Sequence, residues 1–239
     1  MAKSILHKAG SRGGADHGWL KSFHTFSFAS YHNPDRVHFG ALRVLNDDWV
    51  AGGQGFGEHP HNNMEIISIP LKGELRHQDS MGNKGVIKPG EIQVMSAGTG
   101  IYHTEFNNIP DEATEFLQIW VFPNKRDVQP RYDQAKLSYK KHPNQLEQVL
   151  SPDRESAGVW IHQNAWFHMG CIAQGNKTTY TVKDGANNGV YIFVLNGSIL
   201  VDDQALDRRD GYGLWETETF TLEATADAEV LLMEVPMII

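Results

Sequence analysis

Between Phe39 and Phe122 the chain runs as short β-prone segments, each closed within a few residues by glycine, proline, asparagine or aspartate. This cadence limits the fold more than any other feature. Phe39-Gly40-Ala41-Leu42-Arg43-Val44-Leu45 ends on Asn46-Asp47-Asp48, read as a turn, and Met64 to Leu71 ends on Lys72-Gly73-Glu74. Leu75 to Asp79 leads to a glycine-rich loop at Met81 to Gly85. Val86 to Met95 reads strand, turn at Lys88-Pro89-Gly90, strand. Glu115 to Phe122 is strongly β-prone and stopped by Pro123. Upstream, Trp19 to Tyr31 is aromatic and extended, with Phe26 and Phe28 alternating with polar residues, and His24 there reads as a hydrogen-bonded structural histidine. Many short strands with tight turns specify an all-β sandwich or barrel.

The 239 residues suffice for one large domain or two ordinary ones. The polar stretch from Asn124 to about Asn144 carries Pro130 and Pro143 without a sustained period, so it reads as the connection between two lobes. The expected domains are residues 1–130 and 131–239. The second half repeats the style of the first: Tyr191 to Val201 reads as a β-hairpin turning at Asn196-Gly197, and Arg209-Asp210-Gly211 matches Lys88-Pro89-Gly90 in turn chemistry.

A net charge of −8 argues against a direct nucleic-acid or anionic membrane surface, which needs clustered Lys and Arg. The N-terminus lacks an apolar leader run and no later run reaches membrane length, so the expected compartment is cytoplasmic. The lone Cys171 has no disulfide partner and reads as a small buried apolar residue.

Chemistry concentrates in His59-Pro60-His61 and His103-Thr104-Glu105. A strand points residues i and i+2 to one face, so each pair can present two metal ligands side by side. With 12 histidines in the chain, one His-x-His pair carries little weight alone. The glycine run Gly52-Gly53-Gln54-Gly55-Phe56-Gly57 lacks the Lys-Ser/Thr of a phosphate loop and opens onto His59, which suits a loop leading into a metal site. Glu65 shares the strand parity of His61, so spacing leaves two carboxylate candidates, Glu65 and Glu105. Used as a ruler, Gly73 against Gly197 and Gly90 against Gly211 carry the ligand positions of the first lobe onto Lys183, Gly185, Ala224 and Ala226. The second lobe then has lost the set, and one metal per chain is expected. His162 and His168 fit no common ligand spacing.

The wider pattern resembles the two motifs of the cupin superfamily: G-x5-H-x-H-x3-E over Gly53, His59, His61 and Glu65, and G-x2-H-x3-N over Gly100, His103 and Asn107. Gly73 lies one residue late, and Gly98 stands where that pattern has proline. The chain is more closely similar to the pirin family, and within it to bacterial pirin-like quercetin dioxygenases, through His24-Thr25-Phe26-Ser27-Phe28, Ala41-Leu42-Arg43-Val44, Gly53 to Met64, Glu74 to Gly85, Met95 to Glu105 and Gln118-Ile119-Trp120. The likeness is strong in the first lobe and weak in the second. It implies two cupin-type β-barrel domains, with the metal site in the N-terminal one only.

It also implies the ligand set His59, His61, His103 and Glu105, since pirin-like proteins use the glutamate two residues after the third histidine. Glu65 then becomes a supporting or core-facing group. Such ligands suit one divalent transition metal, Fe(II) by resemblance, with Zn, Mn, Co, Ni and Cu also compatible. Proton competition is expected to release it below about pH 6. By resemblance the partners are a small aromatic substrate, a flavonol such as quercetin, and O2. Glu105 deprotonates the 3-hydroxyl, dioxygen attacks the activated enolate, and ring opening releases carbon monoxide. The family also implies an alternative, a metal- or redox-sensing protein that regulates a partner protein without turnover. A closed structural metal site is a third reading.

Overall fold

The computed structural model describes residues 2–238. β1 (Lys3–His7), β2 (Gly13–Asp16) and β3 (Leu20–His24) precede β4 (Leu42–Val50), β5 (Gly55–His61), β6 (Glu65–Lys72), β7 (Leu75–Asp79), β8 (Lys84–Ile87), β9 (Glu91–Ser96), β10 (Ile101–Asn107), β11 (Thr114–Val121) and β12 (Arg131–Lys136). The second half contributes β13 (Glu147–Ser151), β14 (Val159–Trp160), β15 (Trp166–Ile172), β16 (Lys177–Thr181), β17 (Asn188–Asn196), β18 (Ser198–Val201), β19 (Gln204–Asp207), β20 (Gly211–Trp215), β21 (Thr219–Ala224) and β22 (Ala228–Pro236). Helical structure among the described residues is confined to two short 3-10 turns, and no helix is long and apolar enough to cross a membrane.

Each half closes a seven-stranded sheet onto a four-stranded one. The large sheets run β12-β9-β6-β11-β4-β3-β2 and β1-β20-β17-β22-β15-β13-β14, and the small ones β5-β10-β7-β8 and β16-β21-β18-β19. Strand for strand, the two orders are the same from β9 to β4 and from β20 to β15, so the repeat seen in turn chemistry is a repeat of topology. The molecule is all-β and made of two cupin barrels.

The sheets cross the expected division at residue 130 in two places. β1 pairs with β20 of the second half, Leu6 opposite Tyr212, while β12 pairs with β9 of the first, Ala135 opposite Ile92. Thus β1 fills in one barrel the edge that β12 fills in the other. The stretch read as a bare connection therefore carries a strand.

Two turn readings are corrected. Asn196-Gly197 does not close a hairpin: β17 pairs with β20 and β22, whereas β18 pairs with β19 and β21. The turn carries the chain from one sheet of the barrel to the other, as Lys72-Gly73-Glu74 does between β6 and β7. Both glycines have φ of 74°, a left-handed conformation that a side chain disfavours. Asn46-Asp47-Asp48 is no turn at all but the middle of β4, with Asn46 and Asp48 facing inward.

The reason lies in the apolar clusters. The two large sheets pack back to back, and Leu45, Ile67, Val94, Leu117 and Ile119 of one meet Phe167, Met169, Phe193, Leu231 and Met233 of the other in a shared core. Central strands are thereby buried on both faces, which produces continuous apolar runs instead of alternation. Cys171 is half-buried at the border of this core. Inside the second barrel lies another large apolar cluster, around Val190, Ile192, Val194, Phe220, Leu222 and Leu232. Among the described residues the first barrel has two small ones, because its interior is occupied by polar side chains.

Candidate metal centre

β5 and β10 run antiparallel with His103 opposite His59 and Ile101 opposite His61. Strand alternation puts His59 and His61 on one face, and the pairing brings His103 against both. Ring centroids are 4.3 Å apart for His59 and His103, and 5.0 Å for His59 and His61 and for His61 and His103. One ring nitrogen from each lies within 4.8 Å of the other two. The glycine run makes this approach feasible: a Cβ on Gly55 would overlap the Glu105 carbonyl and the Phe106 backbone.

The protonation chemistry suits a cation. His59 Nδ1 donates to the Gly57 carbonyl at 2.7 Å, leaving Nε2 with its lone pair. His103 is 2 % exposed, and neither of its ring nitrogens has a hydrogen-bond partner. A buried imidazole left unpaired on both sides is costly unless something binds it. Burial, and then the neighbouring imidazoles, lower His61 to about 4 and His103 to about 2. Both are neutral at physiological pH, the form that ligates. These residues fit a divalent metal.

Glu105 follows a β-bulge between it and His103. Ser68 Oγ donates to its Oε1 at 3.1 Å and Gln118 Nε2 to its Oε2 at 2.6 Å. Burial pushes its carboxyl up to about 7 against both bonds. A carboxylate oxygen of Glu105 lies within 4.8 Å of ring nitrogens of His103 and His77, but at that limit Glu105 does not join the three-histidine group. Glu65 joins neither group. The turn at Asn62 to Met64, with Asn63 at φ 45°, breaks the parity that made Glu65 eligible. Its Oε2 accepts from Ser96 Oγ at 2.6 Å, and it looks toward Arg131 and the His162 backbone at the junction of the barrels, where burial raises it to about 7.

Sequence reasoning passed over His77. It stands opposite Glu105 in the β7–β10 register, is 1 % exposed, places Nε2 3.2 Å from Asp79, and leaves Nδ1 unpaired. It also missed a polar row across the inner face of the large sheet. His24, Asn46, Gln118, Ser68 and Gln93 stand in register on β3, β4, β11, β6 and β9, all buried. Ser68 and Gln118 hold Glu105 from this row. A single polar residue inside a β-prone apolar run, Gln118 in Phe116 to Val121 or Ser68 in Ile66 to Leu71, was the available signal.

A cavity of ≈ 120 Å³ opens beside the histidines, with His59, His61 and Glu105 on one side and Ser22, His24, Asn46, Asp48 and Phe28 among the residues on the other. His24 is hydrogen-bonded as expected: Nε2 pairs with Ser22 Oγ at 2.8 Å, while Nδ1 is unpaired in the cavity wall.

In the second barrel, pairing and burial correct the ruler. The inward pair equivalent to His59 and His103 is Tyr180 opposite Phe220, and the neighbouring inward positions are Val182 and Leu222. All four belong to the apolar filling of that barrel. Lys183, Gly185, Ala224 and Ala226 are displaced from these places because the stretch leading to Gly197 is longer than the one leading to Gly73, and the stretch after Gly211 is shorter than the one after Gly90. His168 pairs with Tyr180 Oη at 3.3 Å, and His142 is exposed beside Glu147.

The pirin family model matches residues 6–121, and the model of the quercetinase C-terminal cupin domain matches residues 148–235. The chain is 41% identical over 231 residues to a quercetin 2,3-dioxygenase of Escherichia coli (strain K12), covering 97% of this chain and 98% of the relative. It is 39% identical over 223 residues to a pirin-like protein of Caulobacter vibrioides, covering 93% of this chain and 95% of the relative. Among solved structures, a bacterial pirin from Escherichia coli in complex with nickel(II) superposes with a TM-score of 0.93 at 38% identity, over 99% of this chain and 100% of that one.

Proposed function

This chain belongs to the pirin family, and from that premise we propose that it is a metal-dependent dioxygenase that opens the central ring of a flavonol such as quercetin with O2 and releases carbon monoxide. The observation that carries the reading is the convergence of His59, His61 and His103 beside a cavity, with both nitrogens of buried His103 unpaired. A closed structural site would not stand against a cavity. The relatives named quercetin 2,3-dioxygenase support the substrate class.

One divalent metal per chain is held by His59, His61 and His103, with Glu105 as the fourth ligand. Fe(II) is the ion the family resemblance favours, and the nickel(II) complex of the Escherichia coli relative supports a first-row transition metal. A metal held there would supply Lewis acidity that lowers the pKa of a substrate hydroxyl. The protein does the rest. Glu105, which lines the cavity, is placed to take the 3-hydroxyl proton. Ser68 and Gln118 hold its two oxygens in place. Phe28 and Trp120, edge to face at 5.4 Å, form the apolar side of the cavity and exclude water from the reacting ring.

The test is elemental analysis of freshly purified protein, followed by aerobic and anaerobic incubation with quercetin after that metal is restored. Oxygen-dependent bleaching with release of carbon monoxide is the expected result. No bleaching with Fe, Mn, Co, Ni, Cu or Zn sinks the reading.

A further inference from the structure

Across the cavity from the histidines, β3 and β4 present a two-by-two polar patch: Ser22 stands opposite Asp48, and His24 opposite Asn46. All four are at least nine-tenths buried, at 5 %, 5 %, 2 % and 2 % exposure. Three of them leave an atom without a partner, namely His24 Nδ1, Asn46 Oδ1 and Asp48 Oδ1, and Trp120 Nε1 beside them is also unpaired. Each such group costs about 1–3 kcal/mol when buried, and here they line one wall. In the other barrel the row through Asn46 is mostly apolar, with a buried histidine in the place of Asn46 itself. There the row through Asn46, Gln118, Ser68 and Gln93 is replaced by His168, Leu232, Ile192 and Tyr212.

We propose that Ser22, His24, Asn46 and Asp48 form a hydroxyl-reading wall that takes one aromatic ring carrying two hydroxyls in a 1,3 relation, Asn46 Oδ1 and Asp48 Oδ1 accepting a hydrogen bond from each. The inference rests on the flavonol reading and deepens it by naming the part of the substrate that this wall recognises.

Size and spacing both point this way. A cavity of ≈ 120 Å³ is close to one of about 150 Å³ that holds benzene and well below the roughly 300–1,000 Å³ of pockets that enclose a drug-sized molecule. One ring enters and the rest of the substrate lies outside. Asn46 and Asp48 are two residues apart on one strand, roughly 6.6 Å between Cα atoms at strand rise. That separation matches hydroxyls set apart on a ring better than adjacent ones. The wall offers carbonyl and carboxyl oxygens, so it selects donors and rejects a bare ring, because a site built to hydrogen-bond a hydroxyl discriminates strongly against its absence.

Resorcinol and phenol isolate the effect, since a 1,3 pair cannot chelate the metal. Binding is measured by calorimetry under nitrogen on the metal-loaded full chain, for the native protein, Asp48→Asn and Asp48→Ala. The native protein is expected to bind resorcinol about tenfold tighter than phenol. Asp48→Asn, which keeps the Oδ1 acceptor, retains that preference. Asp48→Ala loses it, with phenol affinity and metal content unchanged. Asn46→Ser carries the same test should Asp48→Ala fail to fold. Equal binding of the two ligands by the native protein, no binding of either, or a preference that persists in Asp48→Ala and Asn46→Ser overturns the proposal. Loss of quercetin bleaching with resorcinol preference intact ends the flavonol reading alone.

Discussion

His103 and His77 lie side by side on neighbouring strands, ring centroids 5.4 Å apart, yet their surroundings assign them different work. His77 leans on Asp79 and is stacked at 4.8 Å against Tyr132, whereas His103 has no partner at either nitrogen. His103→Ala is therefore expected to abolish stoichiometric metal binding. His77→Ala, which removes a support behind the ligands, should keep the metal with affinity lowered about 10–100-fold. Equilibrium dialysis with elemental analysis separates the two; equal loss in both variants would make His77 a ligand. Burial also alters the pH response. With His61 at about 4 and His103 at about 2 in the metal-free protein, proton competition at these two begins well below the free imidazole value. Glu105, raised to about 7, takes up a proton first, but three histidines still hold the ion, so half-release of metal is expected below the pH of about 6 that free imidazole chemistry implies. Dialysis at stepped pH checks this, and release centred at 6 or above contradicts it.

Among elements, β5 decides whether the ligands meet. It is an edge strand that pairs with β10, and Gly55 lies where a Cβ would run into the β10 backbone. Gly55→Ala forces a Cβ into the Glu105 carbonyl, an overpacking that typically costs about 1–3 kcal/mol. The expected outcome is a lower Tm and weaker metal binding with the second barrel intact. Chemical denaturation and metal titration of the variant test it, and native metal affinity would show that β5 is placed by other contacts. The glycine run reads as a loop in the sequence, whereas Gly55 to Gly57 belong to β5. The inward course of Asn46 and Asp48 was not legible, because Asn-Asp-Asp is turn chemistry locally and only pairing of β4 with β3 and β11 on both sides makes it a strand.

In the whole molecule, one barrel is filled with apolar side chains and the other has a polar interior, with the shared core between the large sheets stabilising both. Glu65 sits at that junction and carries a pH dependence. Its folded pKa of about 7 lies above the ordinary carboxyl value of 4.5, so its stabilising contribution is full below 4.5 and lost as pH rises through 7. The loss amounts to about 3 kcal/mol between pH 5 and 8. The buried histidines lowered to about 4, His7 and His168, pull the other way, since their contribution is present above 6.5 and lost as pH falls toward 4. Glu65→Gln isolates the first effect: urea unfolding should show the variant gaining on the native protein as pH goes from 5 to 8. An unchanged difference between the two proteins would mean that Glu65 is ionised at no cost.

The all-β class, the duplication and the pairs His59-His61 and His103-Glu105 were legible from local chemistry alone, because strand parity and turn chemistry survive without knowledge of partners. Tertiary structure decided the rest. It turned the Asn196-Gly197 turn into a passage between sheets, exchanged β1 and β12 between edges, sent Glu65 to the junction, and gathered His24, Asn46, Asp48 and His77 around the candidate site. These are outcomes of which strands pair and which faces are covered. Burial on both faces removes the alternation from which a sequence reveals its inward side.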